Sequence, residues 1–229
     1  MAPLRARNYV VCVGIADYPG TENDLNLSAT DAVTMKDLYE KNGDAEVLTF
    51  TNEQATVSAV VSALNAVYGK ASATDAIVFF FSGHGIPGCF VCYDGFLKYD
   101  VLTDVMGRSL ANSKMVLADA CFSGKARQED STEEHRENKA DNVMFFLSSR
   151  SDETSIERKT GWRNSMFTAY LERGLRGGAD ANKDRTITAR ELFLFVSKGV
   201  ADQSMKRQHP VMWGRFNDNM PVMVWKKKR

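Results

Sequence analysis

Cysteine, net charge and long apolar runs are all scarce in this chain of 229 residues. Its four cysteines are too few and too scattered for the disulfide framework of a small secreted protein, so we expect reduced thiols. Lys plus Arg and Asp plus Glu both total 29, and the zero net charge removes any general electrostatic attraction to nucleic acid or anionic lipid. The longest apolar runs have the length of a strand, so the sequence predicts no membrane partner.

The amino-terminal segment has basic residues before a short apolar stretch, but no apolar stretch of signal-peptide length. We therefore expect a cytoplasmic protein or a domain of a longer one. Apolar residues make up 44% and charged residues 25%, which is typical of a globular protein. Since no linker or internal repeat divides the chain, the sequence predicts a single domain over residues 1–229.

Strand and helix patterns alternate along the chain, as they do in α/β proteins. Apolar β-branched runs predict strands at 9–15, 47–50, 76–81, 114–120, 143–147 and 211–213. Apolar residues at helical spacing predict helices at 28–41, 56–68, 165–175 and 189–200. Residues 89–99 favour a hairpin, and the charged segment 125–141 favours an exposed loop. The order of the elements indicates a mainly parallel sheet with helices on both faces.

Two of the predicted strands are followed by residues with reactive side chains. His84 lies in the segment SGHG after the third strand, and Cys121 lies in the segment DACFSG after the fourth. Because sites form at the carboxyl ends of parallel strands, we expect the thiol and the imidazole to meet there, where the imidazole would activate the thiol. The backbone N–H groups of Gly85 and Cys121 are the candidate donors to an oxyanion. The alternative is a buried structural cysteine and a hydrogen-bonded loop histidine.

These two segments resemble the catalytic segments of the caspase-like cysteine peptidases, especially the metacaspases and the bacterial caspase-family proteins. The segments NLSATDA, SSRSDETS, SMFTAYLERGLRGGADANKD and QHPVMWG are similar to the same branch, so the resemblance covers nearly the whole chain. It implies a three-layer caspase-like α/β fold, with a mostly parallel six-stranded sheet, an antiparallel last strand and helices on both faces. It also implies a cysteine endopeptidase with a Cys121–His84 dyad, a protein or peptide substrate and no required cofactor.

The resemblance further implies a pocket for the substrate side chain that precedes the cut. The positions that match the metacaspase pocket carry Asp31, Asp119 and Ser82, with Ser28 where the family usually has cysteine. Two carboxylates favour a cation, and bidentate pairing favours Arg over Lys. The alternatives are that Asp31 interacts with the dipole of its helix and that Asp119 is a buried hydrogen-bond acceptor.

The charged loop adds a hypothesis of self-processing. Lys125, Arg127, Arg136 and Lys139 follow the nucleophile in a segment of the kind that is most open to cleavage. The alternative is an ordinary solvated loop.

A different function for the whole domain is also possible. A caspase-homology domain without catalytic activity would act as a binding or scaffold module.

Residues 180–191 match most positions of a twelve-residue EF-hand loop. The candidate calcium ligands are Asp180, Asn182, Asp184 and Glu191. Arg185 occupies the sixth position, where Gly normally makes the left-handed turn. The sequence therefore favours a capping loop whose polar side chains bond nearby backbone, and calcium binding is the alternative.

Cys89 and Cys92 form a single CxxC pair. Such a pair can hold zinc or take part in redox chemistry. Because the chain has no second pair and no His nearby, two separate thiols on a strand or hairpin are favoured.

Overall fold

The computed structural model describes residues 6–42, 44–122, 142–150 and 161–225, with the backbone alone for Cys121 and Phe122. The predicted loop at 125–141, with its four candidate cleavage sites, lies outside the described residues. The described strands are β1 Asn8–Gly14, β2 Ala45–Thr51, β3 Ala76–Ile86, β4 Cys89–Cys92, β5 Gly95–Lys98, β6 Ser113–Phe122, β7 Val143–Leu147, β8 Thr186–Thr188, β9 Val211–Trp213 and β10 Pro221–Val224. The described α-helices are α1 Ser28–Asn42, α2 Val57–Tyr68, α3 Tyr99–Arg108, α4 Met166–Arg173 and α5 Ala189–Gln203.

The main path of the sheet in the described residues has the strand order β2-β1-β3-β6-β7-β9. All neighbours on this path are parallel except β7 and β9, which are antiparallel. The mostly parallel sheet with an antiparallel last strand is thus confirmed, and its main path has the six strands that were predicted, but β4 and β5 extend the whole sheet to eight strands. The predicted hairpin is also present, because β4 and β5 pair with each other and β4 pairs with the end of β3.

Alternating side chains of the strands build one apolar core on each face of the sheet. In β3, Phe79 and Phe81 pack on the face that α2 and α3 cover. Val78 and Phe80 pack on the opposite face, which α1, α4 and α5 cover. Helices on both faces of a sheet make the three layers that the sequence predicts. None of the described helices is both long and apolar enough to cross a membrane.

Helix α1 approaches the end of β1 unusually closely, and this contact places Asp31. A Cβ atom at Gly14 would lie 2.2 Å from the carbonyl oxygen of Ser28 and 2.7 Å from the Cβ of Ala32. Glycine at this position therefore lets the first turn of α1 rest directly on the sheet. Asp31 in that turn is fully buried as a result.

Several elements go beyond the sequence prediction. Strand β3 continues to Ile86 and β6 continues to Phe122, so both candidate catalytic residues belong to strands rather than to the loops after them. Helix α3 was not among the predicted helices. Strands β8 and β10 form a separate two-stranded sheet, which brings residues 221–224 back to the segment before α5.

Candidate active site

Neighbouring strands bring His84 and Cys121 together at the carboxyl edge of the sheet. The parallel register of β3 and β6 pairs the Cα of His84 with the Cα of Cys121. Two residues earlier, the same register pairs Ser82 with Asp119. Because a strand rises about 3.3 Å per residue, the second pair lies roughly 7 Å deeper along the sheet than the first.

The imidazole of His84 is oriented by a backbone carbonyl that the sequence did not indicate. Its Nε2 lies 2.7 Å from the carbonyl oxygen of Asn23, in the loop between β1 and α1. A carbonyl oxygen accepts hydrogen bonds and cannot donate them, so Nε2 carries the proton. Nδ1 of the neutral ring is then the nitrogen that is able to accept a proton.

The candidate pocket residues Asp31 and Ser82 are in contact. The Ser82 hydroxyl donates to Oδ2 of Asp31 at 2.9 Å. Oδ1 of the same carboxylate accepts from the Asn164 side chain at 2.9 Å and from the backbone N–H of Ser165 at 3.1 Å. The fully buried Asp31 carboxylate thus has a hydrogen-bond donor on each oxygen.

Asp119 lies beside this group and is also buried. Oδ2 of Asp119 accepts a very short hydrogen bond from the Ser165 hydroxyl. The same oxygen accepts from the backbone N–H and the hydroxyl of Thr168 at 3.3 and 3.2 Å. Ser165 therefore links the two carboxylates, because its backbone binds Asp31 and its hydroxyl binds Asp119. Ser28 is buried in the first turn of α1, and its part in the pocket stays a prediction.

Burial and the second carboxylate together change the charge state of Asp31. Burial raises the pKa of Asp31 to about 7, and the negative charge of Asp119 acts in the same direction. The hydrogen bonds from Asn164, Ser165 and Ser82 act in the opposite direction without cancelling the rise. Asp31 therefore holds its proton to a higher pH than an exposed aspartate does.

The sequence profile of the caspase domain matches residues 7–220. The chain belongs to the caspase domain family. Membership in this family implies a cysteine-peptidase type of hydrolase that acts on protein substrates. No curated protein matches the chain.

Solved structures support the caspase fold of the chain. Caspase-1 from Spodoptera frugiperda is similar with a TM-score of 0.72 and 17% sequence identity, over 98% of this chain and 92% of that one. A protein from Geobacter sulfurreducens is similar with a TM-score of 0.71 and 17% identity, over 96% of this chain and 100% of that one. At this level of identity the likeness describes the fold alone.

The candidate oxyanion donors of this caspase domain lie next to the Cys–His pair. Gly85 follows His84 in β3 and is in register with Phe122 of β6 and Phe90 of β4. Gly85 is half-buried at the point where the hairpin joins the sheet. The role of Gly85 and Cys121 as donors stays a prediction.

The loop at 180–191 has the hydrogen bonds of a capping loop. Asp180 accepts from the backbone N–H groups of residues 184 and 185 at 3.2 and 2.9 Å. Asn182 and Asp184 likewise accept from backbone N–H groups two residues further on. Glu191 forms a capping box with Thr188 at the start of α5. These contacts support the capping interpretation.

Arg185 adopts the backbone conformation that glycine normally provides at the sixth position of an EF-hand loop. Arg185 has a φ of 71°, so it adopts the left-handed turn despite not being glycine. No group of three or more His, Cys, Asp or Glu residues that could hold a metal ion is found in the described part of the chain. Calcium binding by this loop stays a prediction.

The CxxC pair of the caspase domain is divided between the two faces of a strand. Cys89 and Cys92 lie at the two ends of β4, three positions apart, and alternate positions of a strand face opposite sides. Both are free thiols, Cys89 half-buried and Cys92 buried. This arrangement favours two separate thiols over a zinc or redox pair.

Proposed function

We propose that this caspase domain is a cysteine endopeptidase that uses Cys121 and His84 to cut peptide bonds after Arg or Lys. The observation that carries the proposal is the register of β3 and β6, which pairs the two residues at the carboxyl edge of the sheet. Register partners on neighbouring strands share a face of a sheet, which is the geometric requirement of a Cys–His pair.

The proposed mechanism begins with proton transfer from the thiol of Cys121 to Nδ1 of His84. Asn23 supports this step, because its carbonyl oxygen accepts a hydrogen bond from Nε2 of His84. This hydrogen bond becomes stronger as the imidazole ring gains positive charge. The thiolate then attacks the carbonyl carbon of the scissile bond, and the backbone N–H groups of Gly85 and Cys121 stabilise the oxyanion.

The second half of the mechanism returns the proton. The imidazolium of His84 donates it to the leaving amine as the C–N bond breaks, which leaves an acyl group on Cys121. Water attacks this thioester with His84 as the base, and the thiol is restored. Every proton in the cycle thus passes through Nδ1 of His84.

The preference for Arg or Lys rests on the two carboxylates below the Cys–His pair. Asp31 and Asp119 accept hydrogen bonds from neutral groups. Ser165 donates to both carboxylates, with its backbone N–H to Asp31 and its hydroxyl to Asp119. A guanidinium that replaced the Ser165 contacts would exchange neutral hydrogen bonds for charge-assisted ones, which are roughly twice as strong. Binding of a cation would also remove the cost of holding two carboxylates side by side.

Fluorogenic peptides that end in Arg, Lys or Asp test the proposal directly. We expect cleavage of the Arg peptide, slower cleavage of the Lys peptide and none of the Asp peptide. Cys121→Ala should abolish cleavage, while Asp31→Asn and Asp119→Asn should each raise KM for the Arg peptide. Asp75→Asn is a matched control, because Asp75 is a buried, hydrogen-bonded carboxylate outside the site.

Two results would redirect the proposal. Cleavage of the Asp peptide alone would contradict the acidic pocket and leave the dyad in place. If no peptide is cleaved but the Arg peptide binds, the chain is the inactive binding module considered above.

We also propose that the active enzyme cuts its own chain between β6 and β7. The four basic residues that follow the nucleophile, Lys125, Arg127, Arg136 and Lys139, supply cleavage sites of the proposed specificity. Incubated wild-type protein should give two large fragments, and Cys121→Ala should give none. Unchanged fragments after all four basic residues are replaced by Ala would contradict this.

A further inference from the structure

Tyr18 packs against the proposed catalytic histidine and lies in the loop between β1 and α1. Its side chain is buried, with 6% of the residue's surface exposed. The centroids of the Tyr18 and His84 rings are 4.8 Å apart, and the ring planes are inclined by 44°. This tilted contact covers one side of the imidazole with a rigid aromatic ring.

The hydroxyl of Tyr18 fills a gap in the hydrogen-bond ladder of the sheet. Strand β1 pairs with β3 as far as Ser82, where the backbone N–H of Ile15 makes the last bond at 3.0 Å. Beyond this point β1 has no residue to offer to His84. The His84 backbone N–H instead donates to the Tyr18 hydroxyl at 2.9 Å.

The same hydroxyl separates β3 from β4. The antiparallel register of these strands pairs Gly85 with Phe90 and Ile86 with Cys89, so one further step would pair His84 with Val91. The Tyr18 hydroxyl stands at that step, because it donates to the Val91 carbonyl oxygen at 3.1 Å while it accepts from His84. A side-chain oxygen is thus inserted where the ladder would otherwise close.

Burial raises the pKa of Tyr18 well above its usual value, although the hydrogen bond from His84 acts in the opposite direction. The hydroxyl therefore remains neutral at physiological pH and keeps the proton that it donates to Val91. Ionisation of Tyr18 therefore does not disturb the bridge near neutral pH.

Gly83 makes room for this bridge. A Cβ atom at Gly83 would lie 2.6 Å from the Tyr18 hydroxyl oxygen and 2.9 Å from the ring of Phe81. Real Cβ atoms do not approach other atoms so closely. The glycine before the histidine in SGHG is therefore required by the position of Tyr18.

The loop that carries Tyr18 is itself held in place. The Asn52 side-chain oxygen accepts from the backbone N–H groups of Ala16 and Asp17 at 3.0 and 3.2 Å. The Tyr18 backbone N–H donates to the Asp24 carboxylate at 3.1 Å. Since Asn23 of this loop also accepts from Nε2 of His84, one anchored loop contacts His84 at its backbone, its ring face and its ring nitrogen.

We propose that Tyr18 is a positioning residue for the Cys–His pair: its hydroxyl keeps β3 and β4 apart at His84, and its ring supports the imidazole. Without the hydroxyl, the His84 N–H either loses its partner or closes onto Val91. Both outcomes move the imidazole relative to Cys121. This role rests on the proposed peptidase function, but the position of His84 is measurable without it.

Tyr18→Phe tests the proposal, because it removes the hydroxyl and keeps the ring. We expect kcat for the Arg peptide to fall roughly 10- to 100-fold with KM within about twofold, as small displacements of a catalytic group have that effect. Tyr68→Phe is the matched control. The Tyr68 hydroxyl is also buried and donates to a strand carbonyl, that of Val78 at 2.7 Å, but it does not contact His84. We expect Tyr68→Phe to leave kcat within about twofold.

Nitrogen NMR of the His84 ring gives a second readout that needs no substrate. The wild type should show the Nε2–H tautomer, and Tyr18→Phe should shift the ring signals while Tyr68→Phe does not. Equal kcat values for the two variants, together with unchanged ring signals, would overturn the proposal. If the wild type cleaves no peptide, the peptidase function fails, and the ring signals alone then decide the role of Tyr18.

Hydrogen exchange of the wild type keeps the proposal testable if Tyr18→Phe does not fold. The His84 amide should be as well protected as the amides of β3 that bond to a neighbouring strand. Exchange at the rate of an unbonded amide would show that the Tyr18 bridge does not form in solution.

Discussion

Replacing Asp31 by Asn should change how the stability of the domain depends on pH. Burial raises the pKa of Asp31 to about 7, so the folded state binds a proton more readily than the unfolded chain does. A raised pKa stabilises the fold fully below the pKa of the unfolded state, about 4 for aspartate, and this contribution is lost as the pH rises through the folded pKa. Wild-type stability should therefore fall between pH 4 and about 7 because of this group.

The structure sets the size of this effect. Each pH unit between the two pKa values costs up to about 1.4 kcal/mol, and the interval from pH 5 to 7 covers about two units. The asparagine side chain has the shape of aspartic acid and does not titrate. From pH 5 to pH 8, the free energy of unfolding of Asp31→Asn should thus rise relative to that of the wild type by roughly 3 kcal/mol.

Urea denaturation at pH 5, 6, 7 and 8 measures this difference, with Cys121→Ala present in both chains to prevent self-cleavage. Contributions from groups that the two chains share cancel when the chains are compared. Asp75→Asn is the control of opposite sign. Burial acts to raise the pKa of Asp75, but hydrogen bonds from Arg7 and Ser72 outweigh it and keep the pKa below the usual value. That group's contribution is lost at a lower pH, so its variant should differ from the wild type by a constant amount between pH 5 and 8.

A pH-independent difference between Asp31→Asn and the wild type would refute this reasoning. It would mean that Asp31 is ionised throughout the range, as an aspartate in contact with a cation or with water would be. The burial of the carboxylate beside Asp119 would then be wrong, and with it the argument for a pocket that selects cations.

Four further substitutions test local contributions to stability, each measured as the free energy of unfolding in urea. Glu191→Ala removes the capping box of α5 and should lower the free energy of unfolding by about 1 kcal/mol. Calorimetric titration with calcium tests the metal prediction on the same variant. Binding heat that is present in the wild type and absent in Glu191→Ala would support calcium binding. Gly14→Ala should cost about 1–3 kcal/mol because the new Cβ meets the carbonyl of Ser28, and an unchanged stability would contradict the close approach of α1. Tyr39→Phe should be neutral or stabilising, since the buried Tyr39 hydroxyl has no hydrogen-bond partner among the described residues. Tyr68→Phe should cost about 1 kcal/mol, because it removes the hydrogen bond to the Val78 carbonyl. Equal costs for the two variants would contradict this difference.

The central strands were predictable because each one is a run of apolar residues long enough to cross the core. The ends of β3 and β6 were not, since the residues of SGHG have no strand preference and are paired only because β4 and β6 lie beside them. Strands β8 and β10 depend on a pairing between distant segments, which local patterns do not reveal. Helix α3 is different, because Leu102, Val105 and Met106 stand at helical spacing and would have indicated it.

In the candidate site, the sequence likewise revealed the reactive residues but not the groups that contact them. His84, Cys121, Asp31 and Asp119 could be named from the sequence because reactive or charged side chains stand out beside apolar strands. Their partners could not. The Asn23 contact uses a backbone carbonyl, which has no sequence signature, and Ser165 reaches Asp31 from a segment 134 positions away. Only the folded chain brings such groups together.

The burial of the other thiols has a practical consequence for chemical labelling of Cys121. Alkylating reagents react with thiolates. Burial raises the pKa of Cys12, Cys89 and Cys92, that of Cys92 to about 12, so these three remain protonated at neutral pH. If Cys121 is activated as proposed, iodoacetamide should add one carbamidomethyl group per chain long before it adds a second. The fraction of chains that carry one added group, measured by mass spectrometry, would then give the fraction of active molecules in a preparation. This measurement needs no natural substrate.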